Sequence, residues 1–228
     1  MPVIKSTADL QQKGFNILVY GAAGSGKTSL IPTLPKPIIL SAEGGLISVM
    51  QQNLPYIEIT NLAVLRDAYA WLRGSKEAAE YASVAVDSLS EIAEIILAAD
   101  KKAGKELKSF NTMQAYNTMQ ETVAEIIRQF RDLPKHCYMT AKMERAQDEG
   151  MVMLFSPSMP GTKVSNMLAY FFDEVLALRV ETNKEGTRQR VLQCQPDGKY
   201  TAKDRSGKLE QWETEIDLSK IIAKMSSN

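Results

Sequence analysis

Three groups in this chain have the residue types and spacing to handle a phosphate chain. Residues 21–28 read GAAGSGKT and fit the pattern G-x-x-x-x-G-K-[ST]. In that pattern successive backbone N–H groups cradle phosphate oxygens, the lysine adds a point charge and the last hydroxyl holds Mg²⁺. The expected cofactor-binding segment is Gly21, Ala22, Ala23, Gly24, Ser25, Gly26, Lys27, Thr28 and Ser29. Glycine at 21, 24 and 26 permits the turn and the close approach. A strand before the loop and a helix after it are expected, so that the helix N-terminus also favours negative charge. The second group is Asp87, which ends the apolar run SVAVD at 83–87, on the edge where α/β sheets bind ligands. Thr28 and Asp87 form the expected metal pair. Asp87 can also serve as N-cap of a helix over 88–99, and the two roles are compatible. The third group is Glu43, placed after the buried run 37–41 and just before Gly44 and Gly45. There it can orient a water for attack, or stand as a solvated loop carboxylate.

Positioning these groups requires parallel strands that end on one edge. Short apolar runs at 15–20, 37–41, 56–60, 82–86 and 136–141 read as buried strands of a parallel sheet. Between them lie helical stripes. Leu89, Ile92, Ala93, Ile96 and Leu97 form one, and Met113, Tyr116, Met119, Val123, Ile126, Ile127 and Phe130 form a second, read as core. Strands alternating with helices predict the α/β class. Further on, 174–180 and 188–195 read as paired strands around a polar turn at 183–187, and Asp217 as the cap of a last helix. The sheet is therefore expected to be mostly parallel and extended by antiparallel strands. Trp71 and Trp212 read as packing residues.

Composition narrows the function classes. The chain has 228 residues, with 27 Lys plus Arg against 27 Asp plus Glu. One domain spanning 1–228 is expected, with 1–13 as an N-terminal extension and 217–228 as a C-terminal helix and tail. Zero net charge excludes a polycation or an acidic solvating tail and argues against a membrane-surface role, while leaving room for a local basic groove. No apolar run approaches the ~20 residues of a membrane span, and the N-terminus lacks a signal-peptide centre, so a cytoplasmic location is expected. Cys137, Cys194 and the single histidine His136 lack metal-ligand spacing, and the cysteines read as small buried hydrophobes.

The loop, Glu43 after the second strand, and Asp87 followed by Ser88 together resemble the RecA-like recombinase core. A narrower likeness is to the phage-encoded minimal RecA-like proteins of the Sak type, the phage nucleotide-binding (AAA ATP-binding) proteins. It rests on HCYMTAK at 136–142, on 157–174 with its Pro160-Gly161 turn and FFDEV, and on YTAKDR at 200–205. The resemblance implies a three-layer P-loop NTPase with a RecA-like core, binding ATP with Mg²⁺ and hydrolysing it weakly under stimulation by DNA. It implies single-stranded DNA binding, annealing or strand pairing in recombination, and self-association into a ring or filament in the host cytoplasm. A single-stranded-DNA-binding protein is the candidate protein partner. By position, Glu43 resembles the catalytic base. Thr140 and Lys142 resemble the γ-phosphate sensor, where RecA itself has a Gln. Lys203 and Arg205 resemble the K-x-R element that reaches a neighbouring subunit's γ-phosphate, or else form a solvated basic turn.

Two segments fall where that family places its DNA-contacting loops. Lys101, Lys102, Lys105 and Lys108 lead into Phe110, a backbone-neutralising patch with a stacking side chain, or a wet helix end. The segment 144–163 carries Arg145 and Lys163, with Met151, Met153 and Phe155 alternating as in a hairpin arm around Gly150. It would touch single strands by apolar insertion, or pack as an edge hairpin. Two rivals remain open: a P-loop kinase for a small molecule, and a non-catalytic nucleotide-gated scaffold for a replication or packaging partner.

Overall fold

A computed structural model describes Ser6 and residues 14–106, 111–182 and 186–227. At its centre Asn16–Gly21 (β1) is buried at every position, because the run NILVYG is apolar on both faces and must be covered on both. It pairs in parallel with His136–Gln147 (β5) on one side and with Glu174–Thr182 (β7) on the other. Past β5 come Ser83–Asp87 (β4), Pro37–Ser41 (β2) and Tyr56–Glu58 (β3), all parallel. Past β7 the pairing turns antiparallel through Arg188–Gln193 (β8) and Trp212–Glu213 (β10). Met153–Ser158 (β6) pairs with the outer half of β5, and Lys203–Asp204 (β9) with the start of β7. The α/β class and the mostly parallel sheet with an antiparallel extension are as expected.

The two faces are covered unequally. Leu62–Gly74 (α1), Leu89–Glu106 (α2), Thr112–Arg131 (α3) and Thr162–Phe171 (α4) pack on one face, where Leu18, Tyr20 and Val86 meet Leu65, Ala93, Val123 and Leu168. The other face is closed by two 3₁₀ segments, Thr28–Thr33 and Leu46–Gln52, and by Leu218–Ser226 (α5). Helix starts are set by side-chain acceptors. Asn61 accepts from the Val64 N–H at 3.1 Å, Asn111 from Gln114 at 3.2 Å, and Asp217 from Ser219 at 2.8 Å.

Several expectations need correction. The segment after the phosphate loop is a six-residue 3₁₀ turn and not a helix, since Pro32 within it and Pro35 just after it deny the donors that an α-helix needs. The helices α1 and α4 were not anticipated. In α1 only Leu65, Ala68 and Leu72 are buried, too sparse a stripe to announce itself. Met113 is 70% exposed, so the buried face of α3 starts at Ala115. β5 runs past Ala141 to Gln147 because its outer half pairs with β6. Cys137 and Cys194 are buried free thiols as read, and burial pushes the Cys194 thiol up to about 12. Among the described residues no helix is long and apolar enough to cross a membrane.

Candidate active site

The phosphate loop leaves β1 at Gly21, where a side chain is sterically excluded: a Cβ would lie 2.6 Å from the Leu178 carbonyl oxygen and 2.8 Å from Ser25 Oγ. Gly26 has φ of 103°, in the range that favours glycine. Lys27 folds back so that Nζ donates to the carbonyls of Gly21 at 3.0 Å and Ala22 at 3.1 Å. Its own carbonyl accepts from the buried Tyr138 hydroxyl at 2.8 Å, which ties the loop to β5. Burial pushes the Lys27 ammonium below its ordinary pKa, the carboxylates of Glu43 and Asp87 oppose that, and the Lys142 ammonium adds to it.

β4 ends with Asp87 only 2% exposed. Its Oδ2 accepts from the Thr28 hydroxyl at 2.8 Å and its Oδ1 from the Thr140 hydroxyl at 2.5 Å. Thr140 lies on β5, the strand between the loop strand and the Asp87 strand, and so bridges the two. Capping of α2 falls instead to Ser88, whose Oγ accepts from Glu91 N–H at 3.3 Å. Glu43 is exposed just past β2. The N–H groups of Ala42 and Glu43 both donate to the Asp87 carbonyl, at 2.8 and 3.2 Å, so the turn carrying Glu43 is pinned to the end of β4. Lys142 Nζ pairs with Glu91 Oε2 at 2.7 Å, and that hydrogen bond holds its pKa above the ordinary value.

The donor set fits a nucleotide and a divalent ion: an ammonium with no carboxylate bonded to it among the described residues, a loop of N–H groups, and a hydroxyl–carboxylate pair beside them. A family model described as an AAA domain matches residues 13–206. The chain belongs to the AAA domain family. Among solved structures it is similar to a KaiC-like protein from the hyperthermophilic archaeon Pyrococcus horikoshii OT3, at 11% identity over 78% of this chain and 77% of that one, with a TM-score of 0.46. No curated protein matches the sequence. An AAA-type nucleotide-binding fold is thus what positions these residues.

The remaining expected residues lie elsewhere. Lys203 Nζ donates to the carbonyls of Ala169 at 2.9 Å and Phe172 at 2.7 Å, closing the end of α4. Arg205 pairs with Asp173 at 2.7 Å. Both sit near the start of β7, with Lys203 level with Leu18 and so roughly 10 Å short of Gly21 along the sheet and two strands to the side. Their bonds to the end of α4 and to Asp173 hold them off the loop of their own molecule. Lys101, Lys102 and Lys105 stand on the last turns of α2 and not on a loop, with Lys101 Nζ 5.1 Å from the Tyr116 ring centre. Lys108, Phe110 and the side chain of Lys163 lie outside the described residues. The segment around Gly150 is a hairpin, with Arg145 opposite Phe155 and its guanidinium 5.8 Å from that ring. Its tip exposes Met151 at 73%.

One residue at the site escaped the sequence reading. A Cβ on Gly26 would lie 2.8 Å from Cζ of Arg190, on β8. The only trace of it in the sequence is the alternation of Arg188, Arg190 and Leu192 on one strand face.

Proposed function

We propose that this protein is a Mg²⁺-dependent RecA-like ATPase that assembles on single-stranded DNA and promotes annealing or strand pairing, in the manner of the phage Sak-type proteins. The observation that carries the ATPase reading is the Thr28–Asp87–Thr140 bridge beside Lys27, with Glu43 pinned to the same strand end. Mg²⁺ held by Thr28 and Asp87 would neutralise charge on the phosphate oxygens. Lys27 exchanges the carbonyls of Gly21 and Ala22 for β- and γ-phosphate oxygens. Glu43, exposed at that edge, accepts the proton of the attacking water, and Lys142 reports the γ-phosphate through β5.

Self-association is supported by an open groove of about 430 Å³ just beyond Glu43. It is bordered by Ile47 at 84% and Met50 at 73% exposure, at the sheet edge formed by β3. In such an assembly Lys203 and Arg205 act on a neighbour's γ-phosphate, with Lys203 giving up two hydrogen bonds to do so. The exposed apolar tip of the β5–β6 hairpin and the lysines of α2 support contact with DNA by insertion and by charge. A single-stranded-DNA-binding protein is the proposed partner and the host cytoplasm the proposed location.

The test is ATP hydrolysis with and without single-stranded DNA, together with ATP-dependent retention of labelled strands. Glu43→Gln should keep nucleotide binding and lower turnover about 10²- to 10⁴-fold, the range for a lost general base. Absence of both DNA stimulation and strand retention sinks the DNA part. Function that survives Glu43→Gln but not Lys27→Ala makes the protein a nucleotide-gated scaffold.

A further inference from the structure

Arg190 belongs to no motif, yet its guanidinium lies along the phosphate loop. A Cβ at position 26 would meet Cζ at 2.8 Å and both Nε and Nη1 at 3.0 Å, so three atoms of the planar group approach the loop together. The side chain is exposed, and no carboxylate pairs with it among the described residues. A cation without a counter-ion, resting on a loop whose N–H groups and lysine are also positive, is placed for an anion that both would share.

Topology says which part of that anion. Thr140, Asp87 and Glu43 approach the loop from β5, β4 and the end of β2, all on one side of β1. Arg190 approaches from β8, beyond β7 on the other side. The metal pair and the water-activating carboxylate define the γ-phosphate end, so Arg190 faces the opposite end of the chain. We infer that Arg190 is a further nucleotide-binding residue, acting in cis on the α- and β-phosphates. This rests on the reading of the loop as an ATP site. A guanidinium suits the task because its planar fork matches a phosphate bidentately, whereas an ammonium offers a point charge. Being in cis and away from the γ-phosphate, it serves ADP and ATP alike and needs no neighbouring subunit.

The experiment is calorimetric titration of dilute protein with MgADP and with Mg-AMP-PNP, on the unaltered chain, Arg190→Ala, Arg190→Lys and Lys27→Ala. Arg190→Ala should weaken both nucleotides by similar factors of about tenfold, the loss of one charge-assisted contact at an exposed site. Arg190→Lys should recover part of it, and the deficit should shrink as salt is raised. Because the side chain is exposed, the nucleotide-free melting temperature of Arg190→Ala serves as the folding control. Unaltered affinity for both nucleotides overturns the inference, as does a loss confined to AMP-PNP, which would put Arg190 on the γ-phosphate. Failure of the unaltered chain to bind either nucleotide overturns the ATP-site reading itself, and this inference with it.

Discussion

Removing one hydroxyl, that of Thr140, should weaken the whole protein before any nucleotide is present. Asp87 is 2% exposed and Thr140 fully buried, and the 2.5 Å contact between them satisfies one of the two carboxylate oxygens. Thr140→Val keeps the volume and β-branching and strands the buried carboxylate Oδ1. A hydrogen bond to a charged group contributes about 1.5–3 kcal/mol, and the oxygen left behind bears the desolvation cost, so a loss of about 2 kcal/mol follows. In a chain of this size each kcal/mol moves Tm by about 2–4 °C, so the nucleotide-free variant should melt about 4–8 °C lower by scanning calorimetry. Thr140→Ser, which returns the hydroxyl, should regain most of that. The double variant Thr140→Val with Asp87→Asn should lose less than the sum of the two single losses, since both remove the same contact. A Thr140→Val protein melting within about 1 °C of the unaltered chain, or strict additivity in the cycle, would mean that the Thr140 hydroxyl does not hold Asp87.

Glu174 begins β7 fully buried, and burial, aided by the Asp204 carboxylate, lifts its carboxyl to about 8 from an ordinary 4.5. Between those values the folded state keeps a proton that the unfolded chain has shed, so stability falls as pH rises from about 4.5 to about 8, by at most ~1.4 kcal/mol per unit. Glu174→Gln should flatten that slope in urea unfolding at pH 5, 6.5 and 8; matching slopes in the two proteins reject the assignment. The Lys142–Glu91 pair is 47% and 32% exposed and contributes under about 1 kcal/mol. Lys142→Ala should therefore shift Tm by less than about 4 °C and abolish the DNA-stimulated increment of hydrolysis. A large melting loss with stimulation intact would remove Lys142 from the sensor role.

The central half of the sheet was legible because its strands are buried on both faces and so are written as uninterrupted apolar runs, with the chemistry placed where each run stops. Asp87 and Glu43 follow from that rule, and Lys27 from the loop motif. The 3₁₀ turn after the loop was also written, in Pro32 and Pro35, but the strength of the loop motif overrode it. The lysines at 101, 102 and 105 left a loop and a helix end both open, since a charged run reads the same on either, and the structure puts them on the helix end. Arg190 could not be found from its neighbours in the chain. Its place at the loop comes from pairing β8 to β7 in the register Val180 to Arg190, a long-range choice that no local pattern encodes.

The short turn after the loop changes how the anion must be held. A macrodipole sums aligned peptides, and six residues of 3₁₀ turn supply few of them, so the long-range field falls to side chains. Of the charged groups that share that field, Lys27 and Lys142 are positive and Glu43, Asp87, Glu91 and Glu94 negative, so negative charge is in excess there. The carboxylates oppose the effect of burial on the Lys27 ammonium, but they also repel incoming phosphates. A polyphosphate can therefore be bound well only if positive charge is added on both flanks of the loop. On the side of Asp87 that charge would come from the proposed divalent ion, so withdrawing Mg²⁺ should weaken ATP more than losing any single hydrogen bond. On the far side the side chain in reach is Arg190. The two additions should be independent, because they stand on opposite sides of β1, and the loss from Arg190→Ala should be about the same factor with Mg²⁺ or with EDTA.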